Sequence, residues 1–117
     1  MAITVTSPQS DKGGWIKNAT SSDASGTEEI IAAPAAGISH YIRSISINSA
    51  ATITVTIGAG ETGGAVTAAL IGPVNLVAGA TANFVFNPAL MVGAATALTV
   101  DASGEGAICV VAQGETY

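Results

Sequence analysis

The chain has 117 residues, the size of one domain, and 49% of them are hydrophobic although only 4% are aromatic, so any core is built mostly from small aliphatic side chains. Charged residues make up 9% of the chain, against about a quarter in an ordinary soluble domain, which suits a protein that hides much of its surface in an assembly. The net charge is −5 with three cations, Lys12, Lys17 and Arg43, a balance that weighs against nucleic acid and against an anionic membrane as partners.

Residues 1–26 read as an N-terminal arm and residues 27–117 as a β-sandwich domain. Residues 2–6 fit a short strand. Residues 7–14 hold Pro8, Gly13 and Gly14 and read as a loop. Trp15 and Ile16 are the one large apolar pair of this part, and residues 18–26, NATSSDASG, are polar and turn-rich. The arm is expected to dock through Trp15, either on its own domain or on a neighbour. The opening MAITVTSPQS has no basic run and no long apolar stretch, so no secretory signal is expected and synthesis in the cytoplasm is.

Residues 27–33 are expected to form a strand, because Pro34 leaves room for two helical turns at most. Residues 34–37 form a turn. The stretch YIRSISINSAATITVTI, residues 41–57, then alternates aliphatic and hydroxyl side chains twice over. Ile45 and Ile47 alternate with Ser44 and Ser46, and Ile53, Val55 and Ile57 alternate with Thr52, Thr54 and Thr56. With residues 48–52 as the loop, the pattern predicts a hairpin that sets Ile47 opposite Ile53 and Ile45 opposite Val55. Tyr41 and Arg43 share the parity of Ile45 and Ile47, near the strand end. Together with Trp15 and Ile16 they are the candidate interface residues, since Trp, Tyr and Arg are enriched at interface hot spots. His40 opens the strand. It is the single histidine, so no multi-histidine metal site exists within one chain, and it reads as a surface residue.

Residues 58–64, GAGETGG, match the spacing G-x-G-x-x-G of dinucleotide-binding loops. The context fails, because only residues 65–71 follow before Gly72-Pro73 and no helix can open there. A flexible inter-strand loop is expected and no cofactor. Residues 67–71 and 74–77 are strands flanking a bulge or kink at Gly72-Pro73. Residues 81–86 alternate, with Phe84 and Phe86 on one face and Asn83 and Val85 on the other. Residues 90–92 fit a short strand, and residues 97–101 another with Leu98 and Val100 inward. Residues 103–106 read as a hairpin turn. Residues 107–113 form a nearly continuous apolar strand, expected to be covered on one face by the core and on the other by a partner. The count is about eight strands and no helix, an all-β sandwich or barrel.

The chemical motifs are incomplete. Asp101, Ser103, Glu105, Gly106 and Ile108 follow the spacing of a calcium-binding loop, but Ala112 stands where the bidentate glutamate belongs. Adjacent Glu28 and Glu29 point to opposite faces of a strand and cannot share an acid–base task. Cys109, the only cysteine, lies in the run GAICVVA and reads as a small hydrophobe. Asn18-Ala19-Thr20 fits a glycosylation sequon, which means little without a signal peptide. No catalytic residue, cofactor site or metal ligand is predicted, and the chain is not expected to be an enzyme.

Five segments carry a resemblance: AAPAAG at 32–37, YIRSISIN at 41–48, TITVTIG at 52–58, GPVNL at 72–76 and FVFNP at 84–88. Taken together, the run over residues 30–113 resembles small all-β virion proteins of tailed bacteriophages, most closely those that decorate the head or sit on the tail. Residues 1–26 are outside it. The resemblance implies a jelly-roll-like antiparallel β-sandwich, a homotrimer and docking on a capsid lattice. The expected function is then a capsid decoration (cement) subunit, with the major capsid protein or other virion subunits as partners, assembled in the host cytoplasm and located on the virion. Two other readings stand beside it. One is a host-glycan-binding module on a head or tail fibre, which needs exposed aromatic rings. The other is a filament subunit whose arm adds a strand to the next copy.

Overall fold

The computed structural model describes residues 3–10, 14–21, 26–62, 65–104 and 106–117. These form nine strands: β1 (Ile3–Ser10), β2 (Gly14–Ser21), β3 (Gly26–Ile31), β4 (Ser39–Ser49), β5 (Ile53–Thr62), β6 (Ala65–Leu76), β7 (Thr81–Ala94), β8 (Leu98–Ala102) and β9 (Ile108–Thr116). They build two antiparallel sheets, a five-stranded one in the order β1-β2-β9-β4-β7 and a four-stranded one in the order β3-β8-β5-β6. No helix occurs among the described residues. The all-β sandwich expected from the alternating pattern is the fold observed.

The core lies between the sheets. Ile42, Ile45 and Ile47 of β4 and Val110 and Ala112 of β9 face Val55 and Ile57 of β5 and Leu98 and Val100 of β8, all buried. Phe84 and Phe86 of β7 pack on its flank, partly buried, while Val85 between them points out. The alternation read from the sequence therefore assigns these faces correctly. It assigns one partner wrongly. β4 and β5 do not form a hairpin; they lie in different sheets. Ile47 stands beside Ala82 and Val110, and Val55 beside Val74 and Ala102. Two apolar faces can bury each other side by side within a sheet or face to face across a sandwich, and period-two patterning is the same for both.

Residues 50–52 are a corner between sheets. The Ser49 hydroxyl donates to the Ala51 carbonyl at 2.6 Å and accepts from the Ala51 amide, which tightens the exit from β4. The Gly79 amide donates to the Ser49 carbonyl, so the β6–β7 turn is stitched to the same corner. Only β1–β2 and β5–β6 are joined within one sheet; every other link changes sheet. β8 and β9 accordingly lie in different sheets and are not joined by a hairpin turn.

Three further expectations change. Over the described residues, the predicted arm at 1–26 is two strands, with β2 paired to β9 at every position from Gly14 to Ser21. Its inward positions include Ala19 and Ser21, which are small and give no aliphatic alternation to read. Over residues 58–62 the predicted loop is the continuation of β5, with Gly58 and Ala59 laddered to Ala69 and Ala68 and to Thr99 and Leu98, while residues 63–64 lie outside the described residues. The predicted short strand at 90–92 is the second half of the long β7. At Gly72-Pro73, β6 carries the expected irregularity, two residues of β6 finding no partner on β5 between Val74 and Ile71.

Candidate interaction surface

Trp15, Ile16, Tyr41 and Arg43 do not come together on one surface. Trp15 of β2 stands beside Gly114 of β9 and points inward, packing on the partly closed end of the core. Its indole Nε1 donates to Thr116 Oγ1 at 2.9 Å. Thr116 Oγ1 lies 2.7 Å from His40 Nδ1, and His40 Nε2 lies 2.8 Å from the Ala32 carbonyl. A carbonyl only accepts, so Nε2 carries the proton there and Nδ1 accepts from the threonine hydroxyl. The result is a directed chain from Trp15 through Thr116 and His40 to Ala32, with the indole edge-on to the imidazole at 6.3 Å between centroids. His40 is 4% exposed, not the surface residue expected. Its burial depends on partners far away in sequence. The group ties β2, β4, β9 and the exit of β3 at one end. His40→Ala is expected to lower stability by about 2 kcal/mol, because the buried imidazole is removed and two part-buried hydrogen bonds, to Thr116 and the Ala32 carbonyl, go with it. Urea unfolding followed by Trp15 fluorescence measures it.

Tyr41 and Arg43 lie on the opposite face, the outer face of the five-stranded sheet. The sequence parity placed them with Ile45 and Ile47, but β4 has a bulge between Ile42 and Ser44 in both of its ladders. One extra residue reverses the parity, so Ile42 faces the core and Tyr41 and Arg43 face out. Arg43 pairs there with Glu115 of β9. The Tyr41 ring stacks on Tyr117 at 4.5 Å and 14°. Ile16, next to the inward Trp15, shares this outer face with its register partner Gln113.

The same face collects exposed apolar side chains. Among the described residues five large hydrophobics are exposed: Val77, Val85, Met91, Val111 and Tyr117. All but Val77 are on the outer face of the five-stranded sheet. Val111 is on β9 beside Ser46, Val85 on β7 beside Ser44, and Met91 on β7 beside Tyr41. Ser46 bonds Asn83 and Asn48 bonds Thr81, so hydroxyls and amides fill the gaps between them. Cys109 also lies here, half-buried, its Sγ 3.5 Å from Asn18 Oδ1. β9, expected to be covered on both sides, is covered by the core on one side and carries the exposed Val111 on the other.

The four-stranded sheet differs in character. Asp101 stands between Thr27 and Thr56 on its outer face, and Ser103 Oγ, just past β8, accepts the Thr54 amide at 2.9 Å, so these two residues of the calcium-loop spacing are engaged with strand partners. Glu105 lies outside the described residues. A surface concavity of about 560 Å³ is lined by Glu29, Glu61, Thr67, Thr96 and Thr99, among others. The Thr99 hydroxyl is committed to the Gly58 and Gly60 carbonyls, and the lining has no histidine, cysteine or lysine among the described residues. Among the described residues no group of three or more His, Cys, Asp or Glu side chains is placed to hold a metal ion. No helix of the described residues is long and apolar enough to cross a membrane.

The sheet edges are guarded. β1, β7, β3 and β6 are the four edge strands. Pro8, Pro88 and Pro73 sit in β1, β7 and β6, where each removes a backbone donor. β3 is six residues long and carries Glu28 and Glu29.

No protein-family model, curated protein or solved structure matches the chain.

Proposed function

We propose that this chain is a virion structural subunit, a capsid decoration protein that assembles as a homo-oligomer and binds where capsid subunits meet. The observation that carries the assembly part is the gathering of exposed apolar side chains on one sheet face in a protein with few charges. The virion part rests on the resemblance of residues 30–113 to small phage head and tail proteins. The strand order supports a jelly-roll reading: with β1 set aside, the two sheets are β2-β9-β4-β7 and β3-β8-β5-β6, and the chain shuttles between them as two Greek keys do. A homotrimer is the oligomer this reading favours, and the role is non-enzymatic. Strand addition into a filament is disfavoured by the proline or acid residues in all four edge strands.

The test is co-sedimentation of the purified protein with expanded, undecorated capsids of a tailed phage that encodes it. Saturable binding at a fixed number of copies per capsid is expected, with capsids that then resist heat or osmotic rupture. Absence from the capsid pellet at every protein concentration overturns the virion reading.

A further inference from the structure

We infer that the outer face of the five-stranded sheet, centred on Val111 and Val85, is the surface through which one copy of this chain meets a second copy. This rests on the assembly part of the proposed function and assigns it to a place. Three independent observations select that occupant.

The first is charge. The protein carries a net −5, so two copies repel unless they approach where the local charge is low. Glu29 and Asp101 lie on the outer face of the four-stranded sheet, and Glu61 lines its concavity. Among the described residues the five-stranded face carries one cation and one anion, Arg43 and Glu115, already paired. Over the described residues it is the neutral side of an acidic molecule. A second copy brings the same neutral face, and an Arg–Glu pair can exchange partners with an identical pair at no cost in net charge.

The second is area. Five strands about 4.8 Å apart, each about nine residues long at about 3.4 Å per residue, make a face of roughly 24 × 30 Å, or on the order of 700 Å². A stable interface buries about 800 Å² per partner. The face by itself nearly meets that requirement.

The third is the state of the edges. Pro8, Pro73 and Pro88 and the acids of β3 close the route by which β-proteins most readily associate, through unpaired backbone. The faces are left, and among the described residues four of the five exposed large apolar side chains gather on the five-stranded one, beside the half-buried Tyr41, whereas Val77 stands alone near the end of β6. Asn83, Ser44 and Gln113, interleaved with Val85 and Val111, supply the hydrogen-bonding groups that such a contact needs.

The experiment is light scattering coupled to size exclusion on the full chain, as wild type, as Val85→Glu/Val111→Glu, and as Val77→Glu. Val77 is 65% exposed and lies off the face, so it controls for adding an acid to an exposed apolar site. The wild type and Val77→Glu are expected at a multiple of the 11.4 kDa chain mass, and the double variant at 11.4 kDa with an unchanged far-UV spectrum. Should the double variant not fold, Val85→Thr/Val111→Thr keeps the β-branched shape and is expected to shift the same mass profile toward the single chain at low concentration. A folded face variant that keeps the wild-type mass overturns the face assignment and leaves self-assembly standing. A wild type of single-chain mass at high micromolar concentration overturns both, while capsid co-sedimentation decides the virion reading separately.

Discussion

Replacing Gly114 by alanine is expected to cost more than about 3 kcal/mol, enough to unfold a domain of this size under ordinary conditions. Gly114 lies in β9, flanked on both sides by β2 and β4. A Cβ there would stand 2.0 Å from the Tyr41 carbonyl oxygen and 2.7 Å from Trp15 Cζ2. Overpacking costs about 1–3 kcal/mol where neighbouring side chains can turn aside. The Tyr41 oxygen is backbone, fixed in the ladder where Tyr41 stands beside Glu115 and Ile42 beside Gly114, next to the bulge at Arg43. It has no rotamer to change. Relief requires β4 and β9 to part, and the core of the five-stranded sheet goes with them. Gly14→Ala is the matched control: the nearest atom to its added Cβ is the Gly114 carbonyl oxygen at 3.9 Å, an ordinary contact. It is expected to change stability by less than about 0.5 kcal/mol. Urea midpoints of the two variants measure the difference.

Ile47→Ala is expected to cost about 3–4 kcal/mol, toward the upper part of the range for emptying a fully buried aliphatic site. Ile47 is fully buried, standing between Ala82 of β7 and Val110 of β9. Ala82 is too short to fill the space left. The core holds few large side chains to move in, since Phe84 and Phe86 are on its flank and not at its centre. Ser46→Ala, one residue away, points to the outer face and loses a single bond to Asn83. Its expected cost is below about 1 kcal/mol. Thermal unfolding of both variants checks the assignment of the two faces, and equal losses would contradict it.

Much of the fold could be read from the residues because a strand's faces are written locally. Ile45 and Ile47, Val55 and Ile57, and Leu98 and Val100 all point where alternation sends them. What alternation does not encode is which strand lies alongside. That is why 41–57 looked like a hairpin and is instead two strands on opposite sides of the core. β2 was hidden because Ala19 and Ser21 fill buried positions that an aliphatic pattern would have marked, while Asn18 and Thr20 point out and resemble a loop composition. The site residues depended on events further from local sequence. A single bulge at Arg43 turned Tyr41 and Arg43 outward. His40 became buried because Thr116, 76 residues later, and Ala32 both reach its ring. Trp15, expected to dock an arm, stands over the described residues in a strand of the sheet and faces inward.

The outer face of the five-stranded sheet is the part of the molecule to which these lines lead, and side-chain footprinting by hydroxyl radicals reads it directly. Met91 and Tyr117, both exposed in the single chain, are reactive and sit on that face. Comparing dilute with concentrated protein, their oxidation is expected to fall several-fold as copies associate, while Val77 stays as reactive as before. Unchanged oxidation of Met91 and Tyr117 in a sample shown to be oligomeric, with protection appearing instead around Thr54 and Val77, would contradict the account.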